Sequence, residues 1–405
     1  MKNYLVIILL GILTLTGCQK TIDMEPEQVI ATEKQTISVN ANQQEEERRL
    51  QHGIDFLKQA DGDYVMVWAS SQDPINVVGN DEWEHDIYFS YITPSSPNIE
   101  PQLLINAPEA QEPSSAAMAQ NGNIMISFED GNDAENILAQ RYGVYNEDLT
   151  QAVKSYPNDV FDGGHSGHVT AVRNRFVVFY SEGWNDGKGF NGLGTGEDVH
   201  LKVYNQYGRL LMYKPVATDA NEDWWPIIAG SNKTAMLIWQ RYVDGDEHVD
   251  LMMSVLNPYT GKFYKKRITL QHWVKYYTYS VVYLPKIDRF LVMGVYHDGG
   301  GFGILLDKYG NIKAGNYDLP EIARESQSVV RPEGSNGQMI AQARSPKGMM
   351  TLYVGRNEIS LINEVNGSYK WKYAGTDGIW KNNDEVYMVS LSTTELVEKT
   401  FNAFE

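Results

Sequence analysis

The chain has 405 residues, 42% of them hydrophobic and 11% aromatic, with 35 glycines and 25 tyrosines. This composition excludes a disordered chain, a collagen and a coiled coil, and it suits short strands joined by glycine-rich turns. A formal charge of -18, from 52 acidic and 34 basic residues, repels phosphate backbones, so nucleic acid is not an expected partner.

The chain opens Met1-Lys2-Asn3-Tyr4 and is almost entirely apolar from Leu5 to Leu15. A cationic start followed by so short an apolar run reads as a secretory signal, too short to span a membrane in the mature protein. The run ends Leu15-Thr16-Gly17-Cys18, and Cys18 is the only cysteine. An exported chain that builds no disulfide has kept one thiol at this position. The segment resembles a bacterial lipobox. The resemblance implies cleavage after residue 17, acylation of Cys18 and a membrane anchor of two or three acyl chains. It places the chain in the bacterial cell envelope. With Gln19 rather than aspartate next to the cysteine, it implies the outer membrane in a Gram-negative cell. Residues 18–49 then form the lipidated cysteine and an acidic tether. Within it, Thr36-Ile37-Ser38-Val39-Asn40 alternates as a strand does.

Residues 50–405 carry a repeat. Its second strands are apolar and often end in an aromatic: Tyr64–Trp68, Ile124–Phe128, Phe176–Tyr180 and Ala235–Trp239, with weaker copies at Phe290–Gly294, Gln338–Gln342 and Glu385–Val389. Small polar turns precede most of them. A later turn also recurs, at Asn205-Gln206-Tyr207-Gly208, Asn257-Pro258-Tyr259-Thr260-Gly261, Asp307-Lys308-Tyr309-Gly310 and Asn363-Glu364-Val365-Asn366-Gly367. Asn or Asp accepts local backbone hydrogen bonds there, and Gly supplies positive φ. Four short antiparallel strands per unit of about 40–60 residues define an all-β fold, a β-propeller. Seven blades are expected, with six blades and an external tail unit as the alternative. The last unit, whose third strand is Glu395–Phe401, lacks a fourth strand that residues 36–40 could supply. The units resemble a loosely defined bacterial extracytoplasmic propeller repeat, best matched by Pro226–Gly261. That resemblance implies a fold and no particular activity.

In such a ring the starts of first strands and the ends of second strands share one face. Long second-to-third-strand loops open there, at Ser70–Glu84 and Ser181–Glu197. That face is expected to collect His165 and His168 from Gly163-Gly164-His165-Ser166-Gly167-His168, with Tyr180, Trp225, Arg241, Tyr277 and His297. Aromatic faces stack on sugar rings, and Arg pairs bidentately with carboxylates. The expected function is a monomeric, membrane-tethered binding or scaffold module for a glycan or an envelope protein. The alternative is a carbohydrate-active enzyme. Architecture and residue types are distantly similar to propeller lyases acting on ulvan, a likeness that implies a histidine and a tyrosine as acid and base and Arg241 as uronate clamp. Asp130-Gly-Asn-Asp133, Asn185-Asp186-Gly187 and Asp244-Gly-Asp-Glu247 offer oxygen ligands suited to calcium, but none completes a twelve-residue calcium loop. No metal site and no other cofactor is expected; two histidines alone do not make a zinc site.

Overall fold

The computed structural model describes residues 51–70, 85–107, 110–132, 137–183, 189, 195–243, 248–323, 329–330, 340–345, 348–366, 376–391 and 396–403. Cys18, the 36–40 segment, most of both long loops, and the acidic turns at 185–187 and 244–247 lie outside them. Among the described residues no helix is long and apolar enough to cross a membrane.

All described elements are strands in antiparallel meanders. The first holds β1 (Gln51–Lys58), β2 (Tyr64–Ser70), β3 (Asp86–Ile92) and β4 (Gln102–Ile105). The second holds β5 (Ser115–Met118), β6 (Ile124–Asn132), β7 (Ile137–Tyr145) and β8 (Ala152–Asp162). In the third are β9 (Gly164–Val172), β10 (Arg175–Glu182), β11 (Asp198–Asn205) and β12 (Leu210–Ala217). A seven-stranded sheet follows: β13 (Asp223–Gly230), β14 (Ala235–Tyr242), β15 (His248–Asn257), β16 (Lys262–Leu284), β17 (Arg289–Tyr296), β18 (Gly301–Asp307) and β19 (Ile312–Leu319). Next come β20 (Val329–Val330), β21 (Ile340–Ser345), β22 (Gly348–Gly355) and β23 (Glu358–Asn366), then β24 (Thr376–Trp380), β25 (Glu385–Leu391) and β26 (Leu396–Asn402).

The seven-stranded sheet is two units fused by one strand. Residues 262–275 of β16 pair with β15, while Val274 and Tyr279–Leu284 pair with β17. Divided there, the described strands make seven meanders, six of four strands and one of three. Their first strands neighbour one another in cyclic order, β1, β5, β9, β13, β16, β20, β24 and back to β1. This is a β-propeller, and its last unit stands in the ring, between β20 and β1.

Burial explains the strand patterns. A second strand such as β2 is packed on both faces, and all of Tyr64–Ser70 is buried; hence its unbroken apolar run. Outer strands such as β12 expose alternate residues. Cores form between units. Ile54, Met66 and Trp68 of the first meander pack with Ile379, Tyr387 and Val389 of the last. First strands leave an inward edge of unpaired N–H groups, which needs acceptors. Asp377 Oδ2 accepts from Phe56 N (3.0 Å), Asp55 Oδ2 from Ala116 N (2.7 Å) and Ser115 Oγ from Val169 N (3.1 Å). Each link joins one first strand to the next, and the Asp377 link closes the ring.

The recurrent Asn/Asp turn forms as read at Asn205, Asn257 and Asp307, but Asn363 to Asn366 lie inside β23, paired with β22, so the expected fourth copy is corrected. Asn205 Oδ1 accepts from the N–H groups of Tyr207 (3.0 Å) and Arg209 (2.9 Å), and Asp307 Oδ1 from those of Tyr309 (2.9 Å) and Asn311 (3.0 Å). The turns also peg neighbouring units together. Asn123 Nδ2 donates to Gln206 O (2.8 Å), Asn174 N to Tyr259 Oη (3.2 Å) and Lys233 Nζ to Tyr309 Oη (3.0 Å).

Candidate functional site

Inside the ring is a cavity of about 370 Å³, lined by residues of β1, β5, β9, β13, β16 and β24. Asp55, Lys58, His168, Thr170, Ser280 and Asp377 give it a polar wall. Of the residues expected at the mouth, His168 alone lines this cavity. Its Nδ1 lies 3.0 Å from Ser166 O.

Three expected mouth aromatics belong to the core instead. Tyr180 is fully buried and stacked between Phe161 and His200, at 5.6 and 5.8 Å. Trp225 and Tyr277 are buried against each other, ring centroids 4.6 Å apart and nearly perpendicular. The cause is a repeated backbone device. Ser166, Trp225 and Tyr277 have φ of +53, +54 and +54°, each where its first strand slips register against the second. Such bulges re-aim side chains, and here they turn two large aromatics into the seam between units. The expectation that these rings lie open at the rim is therefore corrected.

His165 is likewise engaged. Its Nε2 lies 3.4 Å from Glu129 Oε2, its Nδ1 contacts Ser166 Oγ, and Glu129 accepts from Ser166 N. All three residues are buried.

Arg241 does not stand as a free cation. It donates from Nε to Asp223 Oδ1 (2.9 Å) and from Nη2 to Asp223 Oδ2 (2.8 Å), and Asp219 is 3.6 Å from Nη2. Asp223 is completely buried and also accepts from Trp239 Nε1 (2.6 Å). Burial raises the Asp223 carboxyl's pKa against the lowering effect of Arg241 and Trp239. The guanidinium thus serves an internal acid, which overturns its expected role as a rim clamp.

His297 is half-buried at the end of β17, and its N–H donates to Trp273 O (2.8 Å). Trp273 is a candidate site residue that strand-start reasoning missed. It lies in β16 where the strand passes between units, with φ +61°, and 61% of its surface is exposed. Its ring stacks on buried His248, centroids 4.2 Å apart and planes 14° from parallel. His297 is also near His248, 6.2 Å between ring centroids and tilted by 55°. Next to Trp273, His272 Nδ1 lies 2.8 Å from Asp250 Oδ1. The only sequence signal is an aromatic inside the polar run Gln271-His272-Trp273. A flat, supported, half-open indole can take a ligand ring on its free face.

Near the end of β10, Glu182, Asp198 and His200 bring donor atoms within 4.8 Å of one another; they are the one group of three potential metal ligands among the described residues. Burial, then the charges of Glu182, Asp223, Glu197 and Asp219, raise the Asp198 carboxyl to about 6.

No protein-family model matches the chain, and no curated protein matches its sequence. Solved structures are similar in fold. One is the BP39L lectin from Burkholderia pseudomallei, with a TM-score of 0.59 at 9% identity over 84% of this chain and 92% of that one. A Hadza microbial sialidase gives 0.48 at 9% identity, covering 87% and 66%. The β-propeller domain of the trilobed protease from Pyrococcus furiosus gives 0.45 at 9%, covering 88% and 96%. At these identities the likeness is one of fold.

Proposed function

We propose that this chain is a lipid-anchored propeller of the bacterial envelope that binds a glycan through the face carrying Trp273. The observation that carries this reading is the exposed Trp273 ring, held flat by the His248 stack. An exposed indole suits the apolar face of a sugar ring. His297 and His272 supply hydrogen-bonding groups beside it. The fold likeness to a lectin supports the same class of ligand. The closure of Arg241 by Asp223 supports binding over the lyase alternative, which relies on that arginine as its charge clamp.

Cys18 supplies the anchor and residues 19–49 the tether, so the propeller acts as a monomer at the membrane surface, outer membrane in a Gram-negative cell. The reading is tested by screening the full chain carrying Cys18→Ser, which removes the acylation site, against a glycan array. Binding to a family of related glycans supports it. A blank array together with an intact fold sinks it.

A further inference from the structure

We propose that Glu182, Asp198 and His200 form a binding site for a divalent first-row transition metal ion of the zinc or manganese class. The placement follows from strand register. Glu182 pairs directly with Asp198, and Tyr180 with His200, across β10 and β11. Residues two apart on a strand share a face, so both carboxylates and the imidazole project to the same side.

Two carboxylates directly opposite each other on neighbouring strands repel. Neither is paired with a lysine or arginine among the described residues; the ion-pair partner of both is His200. That histidine is the second observation. Its side chain is 4% exposed, and its Nε2 lies 3.3 Å from Glu182 Oε1 and 3.9 Å from Asp198 Oδ2. Even at that distance from Glu182, Nε2 has no partner in good hydrogen-bond geometry. The ring cannot easily swing away, because it is stacked between Tyr180 and Tyr213, both at 5.8 Å.

In the neutral ring one nitrogen donates and the other accepts. Nδ1 sits 2.9 Å from Tyr213 Oη. If Nδ1–H donates to that oxygen, the Nε2 lone pair faces two carboxylates, an arrangement that a cation completes. Metal-bound histidines are commonly held in this way, the second ring nitrogen donating to an outer oxygen. One imidazole and two carboxylates suit zinc or manganese better than calcium, which takes six to eight oxygens. An ion here would fasten the end of β10 to the start of β11, closing the base of the loop that joins them.

The test uses the full chain with Cys18→Ser, which also removes the one thiol that could take the metal. The protein is stripped with chelator, then titrated with Zn²⁺ by calorimetry and checked by elemental analysis after dialysis. One ion should bind to the group, and Glu182→Gln and His200→Ala should each lower the bound stoichiometry by one. Tyr213→Phe should weaken binding by about ten- to a hundredfold without abolishing it. Glu182→Gln is nearly isosteric and keeps the test decisive if His200→Ala fails to fold. No bound zinc after dialysis, or the same stoichiometry in Glu182→Gln, overturns the proposal.

Discussion

Trp273 lies flat on His248, ring centroids 4.2 Å apart and planes 14° from parallel. The buried imidazole covers one face of the indole and leaves the other to solvent. The backbone is fixed as well, since the carbonyl of Trp273 accepts from the N–H of His297 at 2.8 Å. An exposed ring whose position is set by a partner beneath it loses little freedom when a ligand docks, and this preorganisation favours binding.

Arg241 is predicted to govern stability. Arg241→Ala leaves the buried Asp223 carboxylate with only Trp239 Nε1–H as a donor from this cluster. Removing one partner of a buried pair should cost about 3 kcal/mol in urea unfolding. Adding Asp223→Asn, which removes the stranded charge, should recover part of the loss. An unaltered midpoint in Arg241→Ala would show that the pair is not a structural one.

The turn between β18 and β19 gives a pH dependence. Burial raises the Asp307 carboxyl, but hydrogen bonds from the backbone and side chain of Asn311, from Lys313 and from Tyr309 N–H outweigh it. They hold the group at about 2, below its ordinary 3.8. A depressed folded-state value contributes stability above the unfolded pKa and loses it as pH falls toward the folded one. Asp307→Asn should therefore cost about 1 kcal/mol at pH 7, after solvent screening of the Lys313 pair. The difference should persist down to about pH 4 and fade toward pH 2. Paired urea titrations at pH 7 and pH 2.5 measure it, and an equal cost at both would refute the assignment.

Gly208 is needed twice over. Its φ is +75°, and a Cβ there would lie 2.9 Å from Val144 Cγ2 of the preceding unit. Gly208→Ala should destabilise the fold by about 1–2 kcal/mol from the left-handed backbone alone. The added contact with Val144 should make the cost larger than at Gly62, which has φ +100° and nothing within 4 Å. Equal costs at the two positions would show that the turn does not seat against its neighbour.

The fold was legible because its signals are local and repeated. The second strands announce themselves as apolar runs buried on both faces, and the Asn205 and Asp307 turns by their acceptor and glycine. The fusion of two units through β16 was not legible in advance. No glycine or proline interrupts residues 262–284, yet repeat reasoning placed a strand start near Tyr277. The site was less readable than the fold. Trp225 and Tyr277 looked like rim residues because they stand near strand starts, but positive φ at each turns its ring into the core. Arg241 looked like a free cation because its partner, Asp223, lies across the β13–β14 ladder, 18 residues away. Asp198-Val199-His200 does carry a signal, two ligand types on one strand face. It lacks meaning until the register sets Glu182 opposite.

The most direct measurement compares the glycan-array profiles of the Cys18→Ser chain and the same chain with Trp273→Ala, at matched folding judged by thermal melting. The account predicts that the glycans bound by the first are lost by the second while the melting temperature falls only slightly, because most of the Trp273 surface is already exposed. Retention of the same glycans at the same strength by the Trp273→Ala chain would contradict it.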